Sequence, residues 1–166
     1  NGEIYNYRAL RAALIEQGTI FASDSDTEVV LHLYARYGAG MLGKLRGMFA
    51  LAIWDAHART MFLARDPLGI KPLYYADSGG TLRFASQVKA LLVDPAISRD
   101  PSPAGLAGFH LTGSVPEPFT AYHAIRALPT GHWLICTEDG PGTPARYTNV
   151  AATLADARGR AVSDSD

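Results

Sequence analysis

The chain has 166 residues, 48% of them apolar, and a formal net charge of −1. This composition is typical of one globular domain with a sizeable core, and it excludes disorder over the whole chain. The near-neutral charge gives no indication of a nucleic acid or an anionic membrane as partner, and no apolar stretch reaches the roughly 18–20 residues of a membrane span. The single cysteine, Cys136, excludes an internal disulfide and favours a reducing compartment.

The first part of the chain predicts two helices. Residues 7–17 carry apolar side chains at helical spacing and are followed by Gly18, a common helix stop. The second segment, SDTEVVLHLYARYG, begins with Ser25 three residues before Glu28, which is the pattern of a capping box. Its apolar stripe ends at Gly38, so we predict a second helix between these two ends.

After GKLRG the pattern changes to strands. A short polar turn joins MFALAIWD to TMFLARD, and DSGG joins KPLYYA to TLRFAS, so two hairpins are predicted. The first strand is apolar on both faces, with Phe49, Leu51 and Ile53 on one and Met48, Ala50, Ala52 and Trp54 on the other. We therefore expect this sheet to be covered on both sides, by helices or by a second sheet.

The remaining chain predicts short elements and then a linker. Residues 87–92 and 103–111 are typical of helices, the second with a proline at its start, and HWLICTE is typical of a strand. From Gly140 onward the chain is rich in Gly and Pro, then in Ala and polar residues. We interpret the last two dozen or so residues as an exit linker.

Six segments in the same order resemble the glutamine amidotransferase domain of glutamine-dependent asparagine synthetases, a class II domain with an N-terminal nucleophile. They are NGEIYNYRALR, SDTEVVLHLYARYG, LRGMFALAIWD, LARDPLGIKPLYY, FASQVKALL and LPTGHWL. The resemblance implies an α+β fold, the four-layer αββα sandwich of the Ntn hydrolases, over residues 1–147. Amidophosphoribosyltransferases and glucosamine-phosphate synthases share the NG turn and the DTE helix start.

The resemblance also implies segments on both sides of this chain. In the family a catalytic Cys and several strands precede the NGE turn, so we expect a domain that is incomplete at its N-terminus. The family's synthetase signature, SGGxDS, does not occur in the sequence. Residues 148–166 are therefore expected to be a linker toward an absent synthetase domain.

The resemblance assigns four residues to the glutamine site. Asn1 and Gly2 match the oxyanion hole, because a side-chain NH2 and a backbone N–H are the donors that a tetrahedral intermediate needs. Both also contact glutamine, together with Glu3 and with Asp26, which matches the acid that binds the α-amino group. Each has a structural alternative: a plain Asn-Gly turn, a solvated strand-edge carboxylate at Glu3, and a helix-dipole carboxylate at Asp26. Cys136 lies in the middle of a predicted strand, so we do not expect it to be the nucleophile.

One further segment bears on the pocket, and another departs from the family's usual sequence. Arg65 and Asp66 belong to a turn between two strands, and the resemblance implies that this turn supports the glutamine pocket. At Gln87 the family more often has Glu, which puts in doubt any ion pair made by that Glu.

The function implied by the resemblance is that of a parent asparagine synthase (glutamine-hydrolysing) in the cytoplasm, which passes ammonia from glutamine to an ATP-activated aspartate. This chain would hold no cofactor or metal; ATP and Mg would bind the synthetase domain. Glutamine and that C-terminal domain are the expected partners, without nucleic acid or membrane, and a homodimer stays open. We expect the chain alone to be inactive. Two alternatives remain: a non-catalytic scaffold on a synthetase-like protein, and an amidotransferase for another acceptor.

Overall fold

The computed structural model of the protein describes residues 1–159. The helices are α1 (Tyr7–Glu16), α2 (Asp26–Tyr37), α3 (Val88–Leu91), α4 (Pro103–Thr112) and α5 (Val150–Gly159), with a 3-10 helix over Gly38–Lys44. The strands are β1 (Gly2–Ile4), β2 (Gly47–Asp55), β3 (Thr60–Arg65), β4 (Tyr74–Ser78), β5 (Thr81–Ala85), β6 (Arg126–Ala127), β7 (His132–Thr137), β8 (Gly140–Pro141) and β9 (Ala145–Arg146). Within these residues, none of the helices has the length and apolar character needed to cross a bilayer.

The strands form two antiparallel sheets. The larger has the order β1-β2-β3-β7-β8, with β9 beside β7, and the smaller has the order β5-β4-β6. Both hairpins predicted from the sequence are present, as β2–β3 and β4–β5. Because β1 pairs only with β2, it forms an edge of the larger sheet.

The buried apolar side chains form three clusters, because successive residues of a strand point to opposite faces of its sheet. Each cluster lies between two neighbouring layers of the fold. Phe62 of β3 packs under the helices α1 and α2, whereas its neighbour Leu63 packs with Tyr75 of the smaller sheet. On the other face of that sheet, Ala76 packs with Leu91 of α3. The order is therefore helix, sheet, sheet, helix, which confirms the predicted αββα sandwich.

The second face of β2 departs from our expectation. Phe49 and Ile53 are buried on the helix side and Ala50 is buried toward the smaller sheet, but Ala52 is exposed and Trp54 is 58% exposed. The smaller sheet has three strands and covers β3 and β7, so it does not reach the end of β2. The expectation of cover on both faces is wrong for this end of the strand.

The start of α2 is capped differently from the predicted capping box. Ser25 is the N-cap, and its Oγ accepts the Thr27 N–H at 3.1 Å. Glu28, however, accepts from the Ala22 and Ser23 N–H groups, both at 2.7 Å, and from the Ser23 hydroxyl at 2.6 Å. Glu28 therefore fixes the loop before the helix and does not bind the N-cap.

The C-terminal part contains a helix that we did not predict. The segment interpreted as a linker includes α5, an alanine-rich helix whose side chains are exposed from residue 151 to residue 157. Alanine has the highest helix propensity, which explains a helix with little packing. The rest of the predicted linker, residues 160–166, lies outside the described residues. That this segment leads to another domain stays a prediction.

Candidate active site

Gly2 lies in a place that only glycine can occupy. Its φ is 151°, and it pairs with Phe49 across the β1–β2 ladder. A Cβ at this position would lie 2.2 Å from the Met48 carbonyl oxygen and 2.7 Å from the Phe49 Cα. Both are backbone atoms and cannot move aside, so the close approach of the two strands requires glycine here.

The ladder also decides where the Gly2 N–H points. The Asn1 nitrogen donates to the Ala50 carbonyl at 3.1 Å, and the Ala50 N–H donates to the Asn1 carbonyl at 2.8 Å. In an antiparallel pair, hydrogen-bonded and non-hydrogen-bonded residues alternate. The N–H groups of Gly2 and Ile4 therefore point away from β2, toward the open edge of the sheet.

Asp26, the first residue of α2, faces that edge. Its Oδ2 accepts the Ile4 N–H at 3.0 Å. Among the described residues, the contact of its Oδ1 is with the Thr27 hydroxyl, at 3.4 Å. One oxygen thus ties the helix to β1, and the other is left with a weak partner close to the edge that carries the Gly2 N–H.

A cavity of about 150 Å³ adjoins this edge, and three of the four predicted site residues line it: Asn1, Gly2 and Asp26. Its remaining walls come from β1, the start of α2 and the middle of β2: Ile4, Thr27, Val30, Leu31, Phe49, Ala50, Leu51, Ala52 and Ile53. The cavity is open to solvent, since Asn1, Gly2 and Thr27 in its wall are exposed. The walls are largely apolar, and the polar side chains and strand-edge groups are concentrated at Asn1, Gly2, Asp26 and Thr27, which is typical of a small-ligand site.

Glu3 is not among the residues that line the cavity. Successive strand residues point to opposite faces. Ile4 is buried under the helices, so Glu3 points to the other face, where it is exposed. Its predicted contact with glutamine stays a prediction.

Ser86 contacts the site and was missed by sequence reasoning. The Asn1 Nδ2 donates to the Ser86 Oγ at 3.2 Å. One amide hydrogen of Asn1 is therefore engaged, and within residues 1–159 the other has no acceptor. The only signal was the position of Ser86 in the FASQ segment. Gln87, which follows it, is exposed before α3, and its side chain does not cap that helix.

Asp66 is fully buried and supports the site from behind. Its Oδ1 accepts the Leu68 and Ile70 N–H groups, both at 3.0 Å. Its Oδ2 accepts the Lys71 N–H at 2.9 Å and the Phe49 N–H at 3.3 Å. One carboxylate thus holds both the turn after β3 and the residue of β2 that pairs with Gly2.

Arg65 organises the other side of the same turn. Its guanidinium donates to the carbonyls of Lys71 at 2.9 Å and Leu128 at 2.8 Å, and it pairs with the Glu117 carboxylate at 2.5 Å. The Tyr147 hydroxyl donates to the Arg65 carbonyl at 2.9 Å, and burial raises the pKa of Tyr147 above its usual range. Arg65 does not line the cavity, so its contribution is to hold the surrounding backbone.

Cys136 has neither the position nor the chemistry of a nucleophile. It lies on β7 between the two sheets and is 4% exposed. Burial raises its pKa to about 11, so the reactive thiolate is scarce near neutral pH. Among residues 1–159, no group of three or more His, Cys, Asp or Glu side chains is placed to hold a metal ion.

The model of the glutamine amidotransferase domain family matches residues 1–148. The chain belongs to this family. Among its amidotransferase relatives, asparagine synthetase (glutamine-hydrolyzing) 1 of Bacillus subtilis (strain 168) is 40% identical over 150 residues, which are 89% of this chain and 23% of the relative. Asparagine synthetase (glutamine-hydrolyzing) 3 of the same strain is 37% identical over 151 residues, 90% of this chain and 24% of the relative. The chain thus spans about a quarter of the length of these relatives.

A solved structure supports the amidotransferase fold. It is the glutamine phosphoribosylpyrophosphate amidotransferase from B. subtilis complexed with ADP and GMP, with a TM-score of 0.62 and 27% identity. The match covers 89% of this chain and 28% of that chain. Together with the family match, it confirms the resemblance and the Ntn-type fold inferred from the six sequence segments.

Proposed function

We propose that this amidotransferase domain binds glutamine and serves the ammonia-donating half of an asparagine synthetase. The observation that carries the proposal is the shared edge of β1, where the Gly2 N–H and the Asp26 carboxylate face one small cavity. In the parent enzyme, the ammonia would amidate an ATP-activated aspartate in a separate synthetase domain, which would use ATP and Mg. The single buried cysteine agrees with a reducing compartment, so we place the parent in the cytoplasm.

Glutamine needs N–H donors at its side-chain amide and a carboxylate at its α-ammonium, and the site contains both kinds of group. The side-chain amide oxygen becomes an oxyanion when a nucleophile adds to its carbon, and it would accept hydrogen bonds from the Gly2 N–H and the free hydrogen of Asn1 Nδ2. The α-ammonium would donate to Asp26 Oδ1, the less engaged oxygen of that carboxylate. Gly2 and Asn1 would then stabilise the transition state, and Asp26 would position the substrate.

The nucleophile is supplied by another part of the protein in this proposal. Addition to the amide carbon, loss of ammonia and hydrolysis of the resulting acyl-enzyme need a thiol or hydroxyl activated by a base. Family resemblance implies a Cys that precedes Asn1 and uses its own α-amine as base. The residues described here contribute binding, orientation and charge stabilisation.

The acceptor of the ammonia depends on residues outside this chain. The 37–40% identity to asparagine synthetases favours aspartate over a sugar phosphate or another precursor. Glutamine binding distinguishes a non-catalytic scaffold from both kinds of amidotransferase. We expect both amidotransferases to bind glutamine and the scaffold not to bind it.

The test is a titration of the ¹⁵N-labelled 166-residue chain with L-glutamine, followed by amide chemical shifts. We expect saturable shifts at Gly2 and Ile4. Asp26→Asn should weaken glutamine binding by roughly 10- to 150-fold, the range of one charge-assisted hydrogen bond. It should leave the affinity for 4-carbamoylbutanoate unchanged, since this analogue has no α-ammonium.

Two results would contradict the proposal. An absence of saturable shifts at the solubility limit of glutamine would support the scaffold alternative. An Asp26→Asn affinity within about twofold of the parent would make Asp26 a helix-start residue, worth only about 0.3–1 kcal/mol of stability. Asp24→Asn is the matched control, because it makes the same substitution at a fully exposed carboxylate that does not line the cavity.

A further inference from the structure

The short strand β1 is held on both of its edges. On one edge it pairs with β2 through three register pairs, Gly2–Phe49, Glu3–Met48 and Ile4–Gly47. On the other edge, the hydrogen bond from the Ile4 N–H to Asp26 Oδ2 ties it to α2. This bond joins residues 22 positions apart and is partly shielded from solvent.

Gly2 lies two residues before Ile4, so their N–H groups emerge from the same edge about 7 Å apart. Asp26 therefore binds the Ile4 N–H, which is the next outward-pointing N–H along the edge after that of Gly2, the proposed oxyanion donor. Any outward movement of β1 would carry the Gly2 N–H with it.

The helix side of this bond is rigid. Ser25 caps α2 through the Thr27 N–H, and Glu28 fixes the preceding loop through the Ala22 and Ser23 N–H groups. Val29 and Val30, in the first turns of the helix, are buried in the core. Asp26 thus projects from an anchored helix start onto a strand of only three residues.

We infer that Asp26 is a positioning residue for the oxyanion donor as well as a ligand for the substrate ammonium. Oδ2 fixes the edge of β1 and with it the Gly2 N–H, while Oδ1 accepts from the substrate. The roles of Gly2 as oxyanion donor and of Asp26 as ammonium ligand rest on the proposed function. The hydrogen bond by which Asp26 attaches β1 does not depend on it.

Two substitutions separate the roles. Asp26→Asn removes the charge but keeps a carbonyl oxygen that can accept the Ile4 N–H. Asp26→Ala removes both. Amide hydrogen exchange at Ile4 and Glu3 reports the attachment of β1, and the Gly2 amide shift at saturating glutamine reports the oxyanion donor. Both are measured on the ¹⁵N-labelled chain at about pH 5.5, where exchange is slow, with Leu63 in the buried strand β3 as the reference for an intact fold.

In Asp26→Ala we expect exchange at Ile4 to accelerate by roughly 10-fold or more, the equivalent of one lost hydrogen bond to a charged group, with exchange at Leu63 unchanged. The glutamine-induced shift of the Gly2 amide should then be lost even at saturation. In Asp26→Asn, Ile4 should stay within about threefold of the parent, and the Gly2 shift should return at saturation, because the neutral acceptor keeps most of the bond.

The inference is overturned if Asp26→Ala leaves exchange at Ile4 and Glu3 within about twofold of the parent, under ~0.5 kcal/mol. It is also overturned if the Gly2 amide of Asp26→Ala shifts fully at saturation, because Gly2 is then placed without Asp26. Failure of the proposed function gives a different result: no saturable glutamine shift in the parent chain itself. Asp24→Asn, which removes a fully exposed carboxylate close to α2 that does not line the cavity, should match the parent in every measurement.

Discussion

Asp66 and Phe49 are joined by two hydrogen bonds across the end of the β2–β3 hairpin. The Asp66 N–H donates to the Phe49 carbonyl at 2.9 Å, and the Asp66 carboxylate accepts the Phe49 N–H at 3.3 Å. Phe49 is the register partner of Gly2. A buried carboxylate far from Gly2 in the sequence therefore sets the backbone of the site.

Asp66→Asn should destabilise the fold strongly. The carboxylate receives four N–H donors, two on each oxygen, and the amide of Asn would place an NH2 group against one of these pairs. Leaving buried donors unpaired costs about 2–4 kcal/mol of unfolding free energy in total. Denaturant unfolding measures the change. Asp24→Asn is the control, because the Asp24 side chain is fully exposed and should change stability by less than about 0.5 kcal/mol. A similar loss in both variants would contradict the role of Asp66.

Gly2→Ala should detach β1 from β2. The added Cβ meets the Met48 carbonyl oxygen at 2.2 Å, and the φ of 151° is unfavourable for alanine. Strain of this kind costs about 1–3 kcal/mol, which is comparable with what such a short strand contributes. Gly43→Ala is the control, since nothing lies within 4 Å of its added Cβ. Thermal unfolding and exchange at Glu3 and Ile4 report the effect, and equal behaviour of the two variants would show that β1 tolerates the methyl group.

The 166-residue chain should release no ammonia from glutamine. Its single cysteine, Cys136, is buried between the sheets, and its pKa is raised to about 11. An ammonia assay on the purified chain should therefore match a heat-inactivated control, and Cys136→Ala should change nothing. Ammonia release that disappears in Cys136→Ala would instead make this residue the nucleophile.

Glu28 should stabilise the protein in a pH-dependent way. The Ser23 hydroxyl and then the Ala22 N–H lower the pKa of Glu28 from 4.5 to about 2. Because the pKa is depressed in the folded state, this stabilisation is fully present above about pH 4.5 and is lost as the pH falls toward 2. The difference in unfolding free energy between the parent and Glu28→Gln should therefore shrink over this range.

The contribution of Glu28 is isolated by comparing the parent with Glu28→Gln and with a control variant. The pKa of Asp94 is also lowered, chiefly by the Ala96 N–H and then by Arg83, but it is common to both proteins and cancels in their difference. Glu16→Gln, at an exposed position at the end of α1, should follow the parent at every pH. If the parent and the Glu28→Gln variant differ by a constant free energy from about pH 6 to about pH 2, the assignment is wrong.

Features that depend on near neighbours were predictable from the sequence alone. Ser25 caps α2 and Gly38 ends it, because these contacts span only a few residues. The two hairpins formed where alternation and turn residues agree. The six family segments identified the amidotransferase domain, and they pointed to Asn1, Gly2 and Asp26, which line one cavity.

Contacts between distant segments emerged only once the layers were packed. The Asp26–Ile4 bond spans 22 positions and the Asn1–Ser86 bond spans 85, so no local pattern encodes them. Glu28 fits a capping box by spacing, yet its carboxylate reaches the preceding loop, because that loop folds back over the helix start. Trp54 is apolar like its neighbours but stays exposed, because cover depends on how far the second sheet extends. Propensity and spacing act over a few residues, whereas burial and hydrogen-bond partners are settled by which layers pack together.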